Sequence, residues 1–242
     1  MQFENGEAAN EYFGQRPDRS LRRTDREKYD HLMEKYRQSE YYKWSENLTG
    51  DQVSSIASYS GDAYSGINGL LRGEMTEKMV NAWNSTENIS VQSMIENIDK
   101  AISDFELKQP IRVFRTCEKD VLENLQLTAG SYFHDNAFVS TSVLTEKVAS
   151  GNVVMQINVP SGEGFGAWIN PMSGAQDEEY EFLLQRGSDF IVRGIKEQGE
   201  DIIVELDLVG QTKSQWEYAT REDVIEMWKR RGIYDAETAQ KI

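Results

Sequence analysis

The chain has little of what staples or metallates a small protein. Its 242 residues include one cysteine, Cys117, and two histidines, His31 and His134. A single thiol excludes an intrachain disulfide framework and any multi-cysteine zinc site. A Cys117/His134 nucleophile pair would require the two to meet in space, and nothing flanking either residue marks a thiol-protease site. Cys117 therefore reads as a structural thiol, and no metal is expected. Long apolar runs are missing too. The opening segment, MQFENGEAANEYFGQRPDR, has no basic start followed by an apolar stretch, and no signal peptide or transmembrane segment is visible. Positive charge is in deficit, with 26 Lys+Arg against 41 Asp+Glu and a net charge of −15. An acidic surface repels phosphate, so neither nucleic acid nor an anionic membrane is expected as a partner. Most of this acidity reads as solubility.

At roughly 150 residues per domain the length allows one large domain, or one domain plus an extension. Residues 1 to about 20 are polar and turn-rich, and Pro17 stops any helix, so they read as an extended arm. Residues 21–42 are rich in charge and good helix formers, with a narrow stripe of Leu21, Tyr29, Leu32, Met33 and Tyr36. That pattern predicts a helix lying on a larger body. Thr49 and Gln52 have capping-box spacing and start another helix. Gly61 interrupts it, and a short helix comes next, closed by Gly73. Residues 75–103 are helical in character, with Met79, Val80, Trp83, Ile89, Met94, Ile95 and Ile98 as inward positions.

After Pro110 the pattern changes. IRVFRTC, NAFVSTSV, NVVMQINVP, YEFLLQ, DFIVRGIKE and DIIVELDLV are short β-branched and aromatic runs between turn residues, and they predict mostly antiparallel strands. Residues 216–242 return to helical composition. Helices first and strands second is an α+β order. It divides as an N-terminal arm and helix over 1–47, a core unit over 48–210 and a C-terminal helical extension over 211–242.

Three polar groups interrupt the apolar strands. Arg115 shares a strand face with Val113 and Cys117, and a charged residue there needs a partner or a ligand. In Ser140-Thr141-Ser142 the two serines face one way and the threonine the other. Glu179 and Glu181, two apart on a strand, would share a face roughly 7 Å apart. Carboxylates this close repel, so they suit an exposed edge or a cleft that receives a cation. Singly, each has an ordinary reading: a salt-bridge arginine, a strand end, a solvated acidic loop. The acidic run from Asp177 is not a calcium loop, because the alternating Asp/Asn ladder is missing. SGEGFG follows a strand but opens no helix, so its glycines are turn residues.

Taken in order, aromatic-Arg, Phe-x-Ser-Thr-Ser and Glu-x-Glu before an apolar strand resemble the mono-ADP-ribosyltransferase family, in particular its bacterial toxin and phage-type exoenzymes. The likeness extends from about Leu48 to Gly210. TGDQVSSIASYSGDAYSGINGLLRG resembles the family's helical segment bearing Tyr, Tyr and Asn, here Tyr59, Tyr64 and Asn68. GAWINPMSGAQDEEYEFLLQRGS resembles the loop leading into the catalytic glutamate. The resemblance implies an α+β fold of two packed, mainly antiparallel sheets enclosing an NAD cleft, with N-terminal helices alongside. NAD would be the substrate.

By the same resemblance, Glu181 stabilises the oxocarbenium character of the ribose, and Ser140 hydrogen-bonds Glu181. Thr141 and Ser142 support the strand and the nicotinamide pocket, and Arg115 clamps the diphosphate. Tyr59, Tyr64, Asn68 and Arg72 line the cleft from the helical side. Phe138 packs beneath the Ser-Thr-Ser strand. Glu179 implies arginine as the acceptor. Trp168 reads either as a target-facing aromatic or as a packed loop residue. Thr116 departs from the Arg or Gly many members carry after the clamping arginine. No second motif set is present, so a docking copy of the fold is not expected.

The implied protein is a monomeric NAD-dependent arginine mono-ADP-ribosyltransferase. It would act on a target protein in a target-cell cytoplasm, as a delivered effector or a phage-encoded factor. NAD glycohydrolase and a non-catalytic NAD-binding interaction module are the alternatives. A two-carboxylate glycosidase fits poorly, because its carboxylates flank the scissile bond rather than share one strand face.

Overall fold

Helices fill the first half of the chain, and most begin at a short polar side chain that caps free backbone N–H groups. A computed structural model describes residues 1–74, 77–86, 89–119, 121–122, 127–147, 152–172 and 179–211. Asn5 caps α1 (Gly6–Phe13), accepting from the Ala8 N–H at 3.0 Å. Then come α2 (Leu21–Thr24), α3 (Arg26–Gln38) behind Asp25, and α4 (Glu40–Ser45) behind Ser39. The Thr49/Gln52 capping box forms as expected at α5 (Gly50–Ser58). A π-turn over Tyr59–Ala63 succeeds it, broken at Gly61 with φ −91° and ψ −113°. It leads into α6 (Tyr64–Arg72), which Gly73 closes in the left-handed conformation at φ 78°. Next are α7 (Glu77–Thr86) and α8 (Val91–Ser103).

Three expectations need correction. Residues 1–20 are not simply an extended arm, because α1 buries Ala9 and Phe13. Its polar composition hid a two-residue apolar face that only tertiary contact rewards. Residues 21–42 are three helices, because Asp25 and Ser39 leave the helical conformation to cap the next helix in each case. Met79 faces solvent at 49 % exposure, while Val80 beside it is buried. The expected surface position of α3 holds, since none of its residues is buried.

The strands are β1 (Glu106–Leu107), β2 (Ile111–Cys117), β3 (Tyr132–Asp135), β4 (Val139–Ser142), β5 (Val153–Val159), β6 (Gly162–Glu163), β7 (Gly166–Trp168), β8 (Glu181–Leu184), β9 (Ser188–Gln198) and β10 (Asp201–Gln211). β1 and β6 form a separate pair, and the rest run in the order β3-β9-β10-β5-β2-β4-β8-β7. Among the described residues only the β10–β5 pairing is parallel. β2 pairs with β5 along its whole length but meets β4 only at Phe114↔Ser142. The sheet therefore divides there into a five-strand part and a three-strand part, and a cleft opens at the division. The α+β class and its order of elements agree with the sequence reading.

Both halves of the chain share one core. Phe13 stacks on Trp168 with ring centroids 4.5 Å apart, and Trp44 meets Phe105 edge-on at 5.3 Å. The Trp44 indole N–H also donates to the buried Ala101 carbonyl at 2.7 Å. Among the described residues no helix is long and apolar enough to cross a membrane. The helical segment read at 216–242 and the acidic residues Asp177 and Glu178 lie outside the described residues.

Trp44→Phe keeps an aromatic ring against Phe105 but removes the indole donor that ties α4 to the α8 carbonyl. It should lower unfolding free energy by about 1–2 kcal/mol. A urea titration should show a lower midpoint at unchanged slope.

Candidate active site

Glu181 opens β8 and is 3 % exposed. An ionised carboxylate so placed must be hydrogen-bonded. Ser140 Oγ donates to its Oε1 at 2.6 Å, and Ser60 Oγ donates to its Oε2 at 2.7 Å. The backbone is fixed as well. Its N–H donates to Asn170 Oδ1 at 3.2 Å, and its carbonyl accepts from the Ile169 N–H at 3.2 Å. Burial pushes the Glu181 pKa above its ordinary 4.5, and the charge of Glu179 adds to the rise. The two hydroxyls oppose the rise by binding the ionised form.

The three hydroxyls of β4 divide the work of holding this strand pair. Ser140 takes the carboxylate. Thr141 Oγ1 donates to the Phe182 carbonyl. Ser142 Oγ donates to the Glu179 carbonyl at 2.8 Å and accepts from the Leu144 N–H at 3.1 Å. Arg115, half-buried on β2, donates from Nη1 to the Ser140 carbonyl at 3.3 Å. One cation thus braces the backbone of the residue that holds the carboxylate.

Glu179 is not on the strand. β8 begins at Glu181, and Tyr180 between them has φ 50°. The expected shared strand face is replaced by a left-handed step, costly for a bulky residue, that lets Glu179 leave the ladder. Glu179 is exposed, yet both carboxylates line the same cleft.

That cleft has a volume of about 620 Å³. Tyr59, Ser60, Gly61, Asp62, Tyr64 and Asn68 form its helical wall. Phe114, Arg115, Thr116 and the Ser140–Ser142 run form the sheet wall. Tyr59 is fully buried. Its hydroxyl donates to the Phe138 carbonyl at 3.3 Å and accepts from Asn68 Nδ2 at 3.0 Å. Burial holds its phenol well above the ordinary range, so the ring stays neutral. Asn68 Oδ1 is buried without a hydrogen-bond partner among the described residues. Tyr64 is 54 % exposed at the rim. Phe138 is buried and meets Tyr59 edge-on at 5.7 Å.

Of the ten candidate residues, nine line this cleft: Glu181, Glu179, Ser140, Arg115, Tyr59, Tyr64, Asn68, Thr141 and Ser142. Arg72 does not. Its Nε and Nη2 donate to Asp135 at 3.0 and 2.8 Å, a fork that ties α6 to β3. Trp168 is fully buried and stacked on Phe13, so it packs rather than faces a partner. Three residues were missed. Asp62 lines the helical wall. Ser60 directly follows a motif tyrosine at the Gly61 break, and that adjacency was the one available signal. Asn170 opens a single 3-10 turn, Asn170–Met172, with no pattern to mark it. Among the described residues no group of three or more His, Cys, Asp or Glu comes together to hold a metal ion.

Chemically, the cleft sets a buried, rigid carboxylate beside one guanidinium and a second, exposed carboxylate. It suits a ligand that is anionic at one end and develops positive charge at the other. The comparisons with known proteins agree. Residues 33–213 match the model of the ADP-ribosyltransferase exoenzyme family. Over 181 residues the chain is 32 % identical to the NAD(+)–arginine ADP-ribosyltransferase EFV of Enterococcus faecalis, covering 69 % of this chain and 33 % of that protein. The chain therefore spans about a third of the length of that curated relative. Among solved structures it resembles an ADP-ribosyltransferase of Clostridium botulinum, with a TM-score of 0.61, 18 % identity, and 86 % and 98 % of the two chains covered. It also resembles an S. aureus protein solved with NAD, with a TM-score of 0.61, 16 % identity, and 88 % and 99 % covered. At such identities the two structures speak for the fold. The family match takes in both walls of the cleft, and on it this chain belongs to the ADP-ribosyltransferase exoenzyme family.

Proposed function

We propose that this protein transfers ADP-ribose from NAD to an arginine side chain of a target protein and releases nicotinamide. One observation carries the reading: Glu181 is buried and pinned by two hydroxyls in a cleft that also holds Arg115 and Glu179. In the reaction the bond between the nicotinamide nitrogen and ribose C1′ breaks, and its electron pair leaves with neutral nicotinamide. C1′ and its ring oxygen then carry positive charge. A carboxylate already held in place stabilises that charge without reorganising, which is where most of the rate gain of such a site originates. Arg115 provides the positive charge for the diphosphate. Tyr64, exposed at the rim, offers a face on which a ring can stack.

Glu179 supports arginine as the acceptor. A carboxylate matches the guanidinium fork and can aim one nitrogen at C1′. As that nitrogen bonds to carbon it loses a proton, which Glu179 would take up. The Enterococcus relative, named for arginine modification, points the same way. Several structural neighbours are described as toxins, so we propose a protein target in another cell as the setting. Hydrolysis of NAD would use the same cleft with water as the acceptor.

Glu181→Gln should cut nicotinamide release by about a hundredfold or more, the scale of losing one preorganised group. It should also melt at a higher temperature at pH 7. Because folding raises the Glu181 pKa, the folded state holds its proton more tightly, and the charge destabilises the fold as pH rises past 4.5. The advantage of the variant should therefore vanish below that pH. An equal melting temperature across the pH range would contradict the buried-charge argument.

Glu179→Gln should separate two activities. Transfer to an arginine acceptor should fall at least about tenfold while NAD hydrolysis stays within a few-fold. Parallel loss of both would assign Glu179 to bond cleavage and not to the acceptor.

Acid inactivation offers a third check. The acid limb of NAD cleavage should lie above the ordinary carboxyl value of 4.5. Ser60→Ala removes a donor to the ionised form, so the limb should move to still higher pH. A limb that stays in place would remove Ser60 from the site.

A further inference from the structure

The segment that carries Glu179 is propped from outside the matched family region. α1 precedes residues 33–213, yet Gly6 at its start lies flat against the Tyr180 phenol. A β-carbon at Gly6 would fall 2.1 Å from Tyr180 Oη and 2.2 Å from its Cζ, far inside any real contact. The other end of α1 reaches the same residue through a relay of rings. Phe13 stacks on Trp168 at 4.5 Å, and the Trp168 and Tyr180 rings lie 6.4 Å apart.

Tyr180 itself is strained. Among the described residues it is the only non-glycine with positive φ. Such a conformation persists only where the surroundings over-determine it. Here the backbone is tied on both sides of the step. Ser142 Oγ donates to the Glu179 carbonyl at 2.8 Å, and the Val143 N–H donates to the Tyr180 carbonyl at 3.1 Å. Those bonds tie the two carbonyls that flank the step, and among the described residues the Tyr180 ring meets α1 and Trp168. The left-handed step is also what takes Glu179 off the strand that begins at Glu181.

We infer that the Gly6–Tyr180 contact is a positioning device: α1 holds Tyr180 in its left-handed step and thereby sets Glu179 against the bound acceptor. This rests on the proposed arginine transfer. Glu181 is held independently by Ser60, Ser140 and Asn170, so the device governs the acceptor step and leaves bond cleavage alone.

Gly6→Ala tests it directly. Alanine is the better helix former, and the Asn5 cap is untouched, so α1 itself is not weakened. The methyl group must displace the Tyr180 ring. Transfer to an arginine acceptor should fall between about fivefold and a hundredfold, the cost of a misplaced reacting group. NAD hydrolysis without acceptor, and the KM for NAD, should stay within about twofold. In a Tyr180→Gly background, which permits positive φ and removes the ring, Gly6→Ala should have no further effect on transfer. Equal loss of transfer and hydrolysis, full retention of transfer, or an undiminished Gly6→Ala effect in the Tyr180→Gly background would each overturn the inference. Amide hydrogen exchange at Val143, whose N–H donates to the Tyr180 carbonyl, decides the contact without any activity. Gly6→Ala should speed exchange there, and unchanged exchange overturns the device even if wild type proves to transfer nothing to arginine, a result that would sink the functional reading separately.

Discussion

A carboxylate taken out of water is the constraint around which this molecule is arranged. Burial raises the Glu181 pKa, two hydroxyls oppose the rise by binding the ionised form, and they come from different layers. Ser140 is 41 residues away on the neighbouring strand, and Ser60 is 121 residues away in the helical layer. Neither layer can shift without unpairing one oxygen, and an unpaired buried charge is among the costliest defects a fold can carry. The same bonds that tolerate the charge therefore lock the helices onto the sheet. Rigidity at the site is a consequence of that requirement and not a separate feature.

Two local irregularities make the meeting possible. An unbroken helix through Tyr59 and Tyr64 would present side chains at 3.6-residue spacing. The π-turn and the break at Gly61 interrupt that spacing where Ser60 must reach the carboxylate. Such insertions are frequent at functional sites. On the sheet side, β2 and β4 touch at a single residue pair. Full pairing would close the space between Arg115 and Ser140, while no pairing would leave Arg115 without the Ser140 carbonyl that steadies it. The single pair at Phe114 and Ser142 gives both the opening and the anchor.

Much of this was legible in the sequence, for physical reasons that also mark the limits. β-branched runs bounded by turn residues identified β2, β4, β5, β8, β9 and β10, because burial on a pleated sheet selects those side chains. The capping box at Thr49 and the closure at Gly73 were readable because their chemistry is local. β3 was not, since YFHD is short and lacks alternation, and its partner β9 lies far along the chain. α1 escaped notice because two buried residues give little periodicity, and their reward comes from Trp168 and Phe182. Arg72 illustrates a different limit. The family resemblance implies that it lines the cleft with Tyr59, Tyr64 and Asn68. Asp135 claims it instead, and no local pattern encodes that long-range choice.

The displacement of Arg72 sharpens the electrostatics. The net charge of −15 gave no hint of an anion site, and the expected pair of cations reduces to Arg115 among the described residues that line the cleft. Against it stand Asp62, Glu179 and Glu181. In the proposed reaction a diphosphate would meet one favourable charge and three opposed ones among the described residues, so the hold on the dinucleotide would draw also on neutral contacts such as ring stacking at the rim. A guanidinium would meet the reverse, three carboxylates and one like charge. In the proposed transfer the described charges of the cleft would favour the cationic acceptor more than the anionic donor, and would help the acceptor arrive.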